Sequence, residues 1–255
     1  VSLFRAQVVS ADRFENVYPN SMTAQKIQKR LRQFASKEKA KVLQGFFKTG
    51  PGEYGEGDIF LGVVVPDIRR VAKEFSGMSL GEITTLLAST VHEERLLALF
   101  MLVSAYSGGD NSLKQKIYAL YLKNTKYINN WDLVDLSAPN IVGAYLLDKS
   151  RKPLYVFARS RDLWKRRIAI LATFQFIKQN DFDDTLGIAK ILLMDDHDLL
   201  HKAVGWMLRE VGKRDMAAEK KFLRQHYKIM PRTMLRYAIE RFPEGIRRKY
   251  LDGKV

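Results

Sequence analysis

Apolar residues along this chain recur at three- and four-residue intervals, not in alternation. From Thr23 onward Ile27, Leu31 and Phe34, then Val42 and Phe46, fall at helical spacing behind a Ser/Thr cap. The glycine-rich TGPGEYGEGD, residues 49–58, interrupts the pattern and predicts a turn. IFLGVVV, residues 59–65, is the one strand-like run. A single strand has nothing to pair with, so a buried connector is expected there. Pro66 stands where proline opens a helix at its first position, over PDIRRVAKEF. Beyond it the periodicity predicts helices over about 79–88, 91–106, 112–127, 130–147, 154–159, 162–178, 182–193, 197–212, 215–227 and 231–241. The expected fold class is all-α.

Four segments share a phase. HEERLLALFML, NNWDLVDLSA, KRRIAILATF and LHKAVGWMLR each begin polar and run into an apolar helix, and Arg95, Trp131, Arg167 and Lys202 within them lie roughly 36 residues apart. That interval holds two helices and predicts an α-solenoid of HEAT-like or TPR-like repeats with a concave groove. Equivalent positions would then line up, Arg95, Trp131, Arg167 and Lys202 in one row and Leu99, Asp135, Leu171 and Trp206 beside it. Cations interleaved with large aromatics suit a nucleic-acid backbone. An ordinary solvated face accounts for such a row equally well.

Composition narrows the partner. Lys+Arg 43 against Asp+Glu 28 leaves a net charge of +15, an excess that points to a polyanion. The cations are spread over many segments instead of one amphipathic anchor, which favours nucleic acid over a membrane surface. At 46% hydrophobic residues the chain can bury a core of domain size. The absence of cysteine excludes disulfides and thiolate metal sites, and fits a reducing, cytoplasmic compartment. No apolar run approaches the ~20 residues that span a bilayer. Val1 to Ser21 contains no adequate signal-peptide core and is read as a tag remnant or flexible arm, with Met22 the natural start and residues 22–255 a single repeat domain.

The chemistry concentrates in WDLVDLSAP. Trp131 and Asp135 stand at i and i+4 and project from one side of a helix. Asp132 points elsewhere; with Asn129 as the N-cap it falls in the first turn, where a carboxylate opposes the helix dipole favourably. Asp135 lies too deep for capping. Pro139 follows it by four residues, and its ring clashes with the Asp135 carbonyl, so the helix should bend or open there. Two rival motifs are weaker. HDLLH, His197 to His201, has the spacing of a zinc helix, but Asp198 replaces the usual glutamate and no third ligand follows, so the histidines are expected to flank a helix start. GPGEYGEG lacks the lysine and Ser/Thr of a phosphate loop. No metal site is expected.

The chain resembles the AlkD-type DNA alkylation repair proteins, HEAT-like alkylpurine DNA glycosylases. The resemblance is carried by WDLVDLSAP (Trp131–Pro139), LWKRRIAIL (Leu163–Leu171) and HKAVGWMLREVGK (His201–Lys213), supported by FFKTGPGEYGEGDIFLGVVVPDIRRVAKEF, and spans Met22 to Tyr250. It implies excision of N3- or N7-alkylated purines from double-stranded DNA without a cofactor, by a monomer. It also implies that Trp131, Asp135, Arg167 and Trp206 are the catalytic set. Asp135 would steady a sugar cation, the two indoles would face sugar and base, and Arg167 would grip a phosphate, with the lesion not flipped into a protein pocket. Arg166, Lys202, Arg95 and Phe46 join Arg167 as expected DNA contacts. Phe46 stands where some relatives carry tyrosine, so no hydroxyl contact is implied. The bland alternatives are that Trp206 is core, that Arg167 covers apolar surface, that Asp135 pairs with a lysine, and that Trp164 packs as a staple at a helix start. At the level of function, the alternatives are a relative that binds DNA structure without excision and a protein-interaction scaffold.

Overall fold

The computed structural model describes residues 22–255; the reading of Val1–Ser21 as a tag remnant or arm lies outside the described residues. Local caps set the first helices. Thr23 accepts from the Lys26 amide to open α1 (Ala24–Arg32), Ser36 does the same for Lys39 at α2 (Lys37–Phe46), and Ser79 for Glu82 at α4 (Leu80–Leu87). Between them α3 (Val65–Glu74) begins one residue earlier than expected, with Pro66 in its first turn and not at its first position. α5 (His92–Gly108) and α6 (Asn111–Lys123) follow. The chain divides inside α6, between Ile117 and Tyr118, into two compact units.

In the first unit α5 packs on α3 and α4, and α1 on α3 and α4. Ile27, Leu31, Ile68, Val71, Ile83, Leu86, Leu97, Leu99 and Leu102 form its core. α2 buries none of its residues: Val42 is 70% and Phe46 61% exposed. The glycine-rich stretch turns at Gly52 and Gly57, both with positive φ. The IFLGVVV run is a connector, but only half buried. Phe60 and Val63 are inside while Ile59, Val64 and Val65 face solvent. Its backbone is satisfied by one bridge between Ile59 and Val91 and by the Glu93 carboxylate, which accepts the amides of Leu61, Gly62 and Val63 at 2.8–3.2 Å.

In the second unit a short 3₁₀ turn (Thr125–Tyr127) leads to α7 (Trp131–Ser137), which passes directly into a π-helix, Ala138–Gly143. There follow α8 (Lys152–Ala158), α9 (Leu163–Ala172), α10 (Phe174–Ile177), α11 (Asp183–Ile191), α12 (Asp198–Arg214), α13 (Met216–His226) and α14 (Arg232–Ala238) with a 3₁₀ turn at its end (Ile239–Arg241). A last helix, α15 (Glu244–Leu251), lies beyond the final one expected from periodicity, and only Tyr250 of it is buried. α9 sits centrally, against α7, the π-helix, α8 and α12, while α12 packs on α13 and α14. Apart from the single Ile59–Val91 bridge, the described residues are helical or irregular, an all-α helical-repeat fold. Among the described residues no helix is long and apolar enough to cross a membrane.

Candidate active site

α7 owes its start to Asn130, whose side chain accepts the Trp131 amide at 2.8 Å. The cap is therefore one residue later than the expected Asn129. Trp131 is the first helical residue, and Asp132 the second, its Oδ1 accepting the Leu133 amide at 2.9 Å in the positive end of the helix. Asp135 lies one turn further in. Just past it Pro139 can neither donate to the Asp135 carbonyl nor fit above it, and the helix widens into the π turn. Two side chains satisfy carbonyls next to the break: Ser137 Oγ donates to Leu133 O at 2.5 Å and Asn140 Nδ2 to Leu136 O at 2.7 Å. Tyr121, fully buried, meets the Ser137 hydroxyl at 2.9 Å from behind. Gly143 closes the π turn against α9, where a Cβ would lie 2.1 Å from the Ala172 carbonyl oxygen. Only glycine permits that approach.

The approach places Asp135 opposite Arg167 of α9. Arg167 donates Nε to Asp135 Oδ1 and Nη2 to Oδ2, both at 2.8 Å, a two-bond fork, and its Nη1 donates to the Leu199 carbonyl of α12 at 2.5 Å. One guanidinium thus ties three helices. Each of the two links spans 32 residues, and Phe174 and Trp206, the same distance apart in sequence, face each other with ring centroids 6.1 Å apart. α9 with α10 therefore runs parallel to α12, in register over two turns.

Asp135 is an acid under strain from its surroundings. Its side chain is 20% exposed and Arg167 5% exposed. Burial pushes the Asp135 carboxyl above the ordinary aspartate range; the Arg167 charge and its hydrogen bonds pull it back, and nearby Asp132 adds to the rise. The carboxylate is thus poorly hydrated and held in one orientation by a permanent cation. Such a group favours positive charge developing next to it.

Trp206 is partly exposed on α12, its indole N–H donating to Glu210 Oε1 at 3.0 Å. It is placed by its neighbour. A Cβ on Gly205 would lie 2.4 Å from the Met234 carbonyl, so α12 lies close on α14 and turns the next residue away from that contact. Trp164 is the second residue of α9, its amide accepted by the Asp162 cap at 2.8 Å.

Several expected contacts are arranged otherwise. Arg167 presents its fork to Asp135, not to an open phosphate site, and the alternative of a lysine partner for Asp135 is replaced by this arginine. Arg95 is 3% exposed and donates to Asp58 at 2.7 Å and to the Ser89 carbonyl at 3.0 Å; burial leaves it no free cationic surface for DNA. Arg166 holds Asp195 at 2.6 Å and the carbonyls of Ser160 and Arg161, tying the loop before α9 to the loop before α12. Leu99 and Leu171 are fully buried, so the proposed second row is not a surface. The lateral partners are Asp135, Arg167 and Leu199, a register of 32 residues in place of 36. Lys202 is partly exposed beside Asp198 at 2.6 Å, and Phe46 is exposed on α2, its ring edge-on to Phe47. His197 caps α12, its Nδ1 accepting the Leu199 amide at 3.1 Å, and His201 reaches the Asp195 carbonyl. Both serve the helix start. Periodicity had not singled out Phe174, Glu210 or the Leu199 carbonyl. For Glu210 the available signal was its i+4 spacing from Trp206.

Comparison with known proteins gives the family and the fold. The family model described as DNA alkylation repair enzyme matches residues 27–242. A solved structure titled as a predicted DNA alkylation repair enzyme from Enterococcus faecalis is similar with a TM-score of 0.66 at 14% identity, over 82% of this chain and 97% of that one. AlkD2 from Streptococcus mutans is similar with a TM-score of 0.51 at 16% identity, over 87% and 97%. At these identities the two structures speak for the fold. No curated protein matches.

Proposed function

The chain belongs to the DNA alkylation repair enzyme family, and from that premise we propose that it is a DNA glycosylase hydrolysing the N-glycosidic bond of N3- or N7-alkylated purines in double-stranded DNA. The observation that carries the reading is the Asp135 carboxylate, poorly hydrated, clamped by both arms of Arg167 and one turn from Trp131 on the same helix. Alkylation at N3 or N7 puts positive charge on the base, so the leaving group departs as a neutral purine and needs no general acid. The deoxyribose then carries the developing charge. A fixed carboxylate stabilises that oxocarbenium-like state and orients the attacking water, whose oxygen forms the new bond at C1′ as the bond to the base nitrogen breaks and whose surplus proton passes to the carboxylate. This route makes no demand for a metal or organic cofactor. The π faces of Trp131 and Trp206 suit the cationic base and electron-poor sugar.

Arg167 enters this scheme as the group that keeps Asp135 ionised and aimed, with its third arm on α12. The wider cationic surface, to which Lys202 belongs, supplies the attraction to phosphates, and exposed Phe46 on α2 offers an aromatic surface for the duplex. A monomer suffices for this chemistry.

The test is release of free 7-methylguanine or 3-methyladenine from methylated duplex DNA. Asp135→Asn is expected to lower release by about 100-fold or more, the range for deleting one transition-state electrostatic contact. DNA affinity should hold or improve, because Arg167 then stands without its counter-charge. Normal excision by that variant would end the assignment of Asp135. DNA binding by the wild-type protein with no release above background would favour a non-excising relative.

A further inference from the structure

Glu210 has no part in the chemistry derived so far, yet it is the hydrogen-bond partner of the Trp206 indole. Trp206 Nε1 donates to Glu210 Oε1 at 3.0 Å across one turn of α12, and Lys213 Nζ donates to the same oxygen at 2.6 Å from the following turn. The Glu210 side chain is 13% exposed, and the Arg209 guanidinium stands 4.0 Å away. The Trp206 ring also faces Phe174, at an interplanar angle of 44°. A tryptophan on a helix surface has two free side-chain torsions. Phe174 alone limits them without choosing which edge of the indole points along the helix. The N–H bond makes that choice: it turns the nitrogen edge towards the C-terminal end of α12.

We propose that Glu210 is a positioning residue for excision, holding the Trp206 ring plane and, as a charge-assisted acceptor, enriching its π face for a cationic base. The inference rests on the reading of Trp206 as a substrate-facing residue. Lys213 shares the acceptor oxygen and reaches it from the following turn, so the acceptor is itself held. The i, i+4 Trp–Glu pair and the i, i+3 Glu–Lys pair make one short relay along the helix.

The experiment uses the full chain labelled with ¹⁵N, whose three tryptophans give three indole N–H signals; Trp206→Phe identifies the one from Trp206. In Glu210→Ala that signal is expected to move upfield as the acceptor is lost. The single-turnover rate of 7-methylguanine release should fall about tenfold, or ~1.4 kcal/mol, while DNA affinity stays within about twofold. Glu210→Gln keeps an acceptor oxygen and should recover most of the rate, an outcome that general loss of structure would not give. Wild-type excision by Glu210→Ala, an unmoved Trp206 signal, or no recovery in Glu210→Gln would each overturn the proposal. A wild-type protein that releases no base overturns the glycosylase reading and this proposal with it. An active wild type with a silent Glu210→Ala overturns this proposal alone.

Discussion

Arg167 and Asp135 act on each other in opposite directions from their surroundings, and the balance is measurable. Burial raises the Asp135 pKa and Arg167 opposes that rise. Arg167→Ala removes the opposition, so the carboxyl should protonate at still higher pH. In the proposed mechanism excision requires the ionised form; the rate should therefore fall as pH drops through that pKa, and the acid limb of the pH–rate profile should shift to higher pH in the variant. The same change leaves a buried carboxylate unpaired, with an expected loss of about 3–5 kcal/mol in stability. Because a raised folded-state pKa means that stability falls as pH rises through it, the loss should be larger near pH ~8 than near pH ~4, read from denaturant midpoints. An unmoved acid limb would mean that another group governs the rate.

At the scale of the element, the junction between α7 and its π turn does the positioning. Pro139 denies the helix a regular fourth-residue bond, and Gly143 lets the widened turn lie on α9 so that Asp135 meets Arg167. Gly143→Ala puts a methyl 2.1 Å from a backbone oxygen that cannot swing aside. The expected cost is about 1–3 kcal/mol, with excision falling further than stability explains, checked by urea unfolding beside release kinetics. How much of this was legible follows from the same junction. Pro139, four residues after Asp135, announced an opened helix, and the Trp131–Asp135 spacing announced a shared face. The sequence did not announce the lateral partner. Helix-start similarities put Trp131 beside Arg167, but neighbouring helices meet where backbone contact allows, and the glycine approach sets that meeting at Asp135. For the same reason Arg95 read as a surface cation: nothing local to HEERLLALFML reveals that Asp58, far back in the chain, turns inward to receive it. α15 escaped because its amphipathic face is thin, with Tyr250 its only buried residue. Helices with broad apolar stripes were found to within a few residues; α9 and α10 show that breaks are harder, since Thr173 ends α9 with a hydroxyl turned onto the Ile170 carbonyl inside an uninterrupted apolar pattern.

Across the whole molecule the surplus of +15 charges is the dominant long-range property. Several of its cations are already committed to acids: Arg30 to Glu74, Arg151 to Asp181 and Asp184, Arg166 to Asp195 and Arg95 to Asp58. Attraction to DNA should therefore come from the remaining exposed lysines and arginines and weaken steeply with salt, with a log–log slope of about −3 to −6. A fluorescence-anisotropy titration of a duplex at several salt concentrations measures it. A shallow slope would favour the scaffold reading over either DNA reading. Within that field the Asp135–Arg167 couple is a closed dipole: seen from a few ångströms away its two charges cancel, and only a group pressed against the carboxylate senses its sign. On the proposed glycosylase reading, capture of the duplex and rupture of the glycosidic bond would draw on separate sets of charges, so a lineage would be free to strengthen one by surface substitutions without disturbing the other.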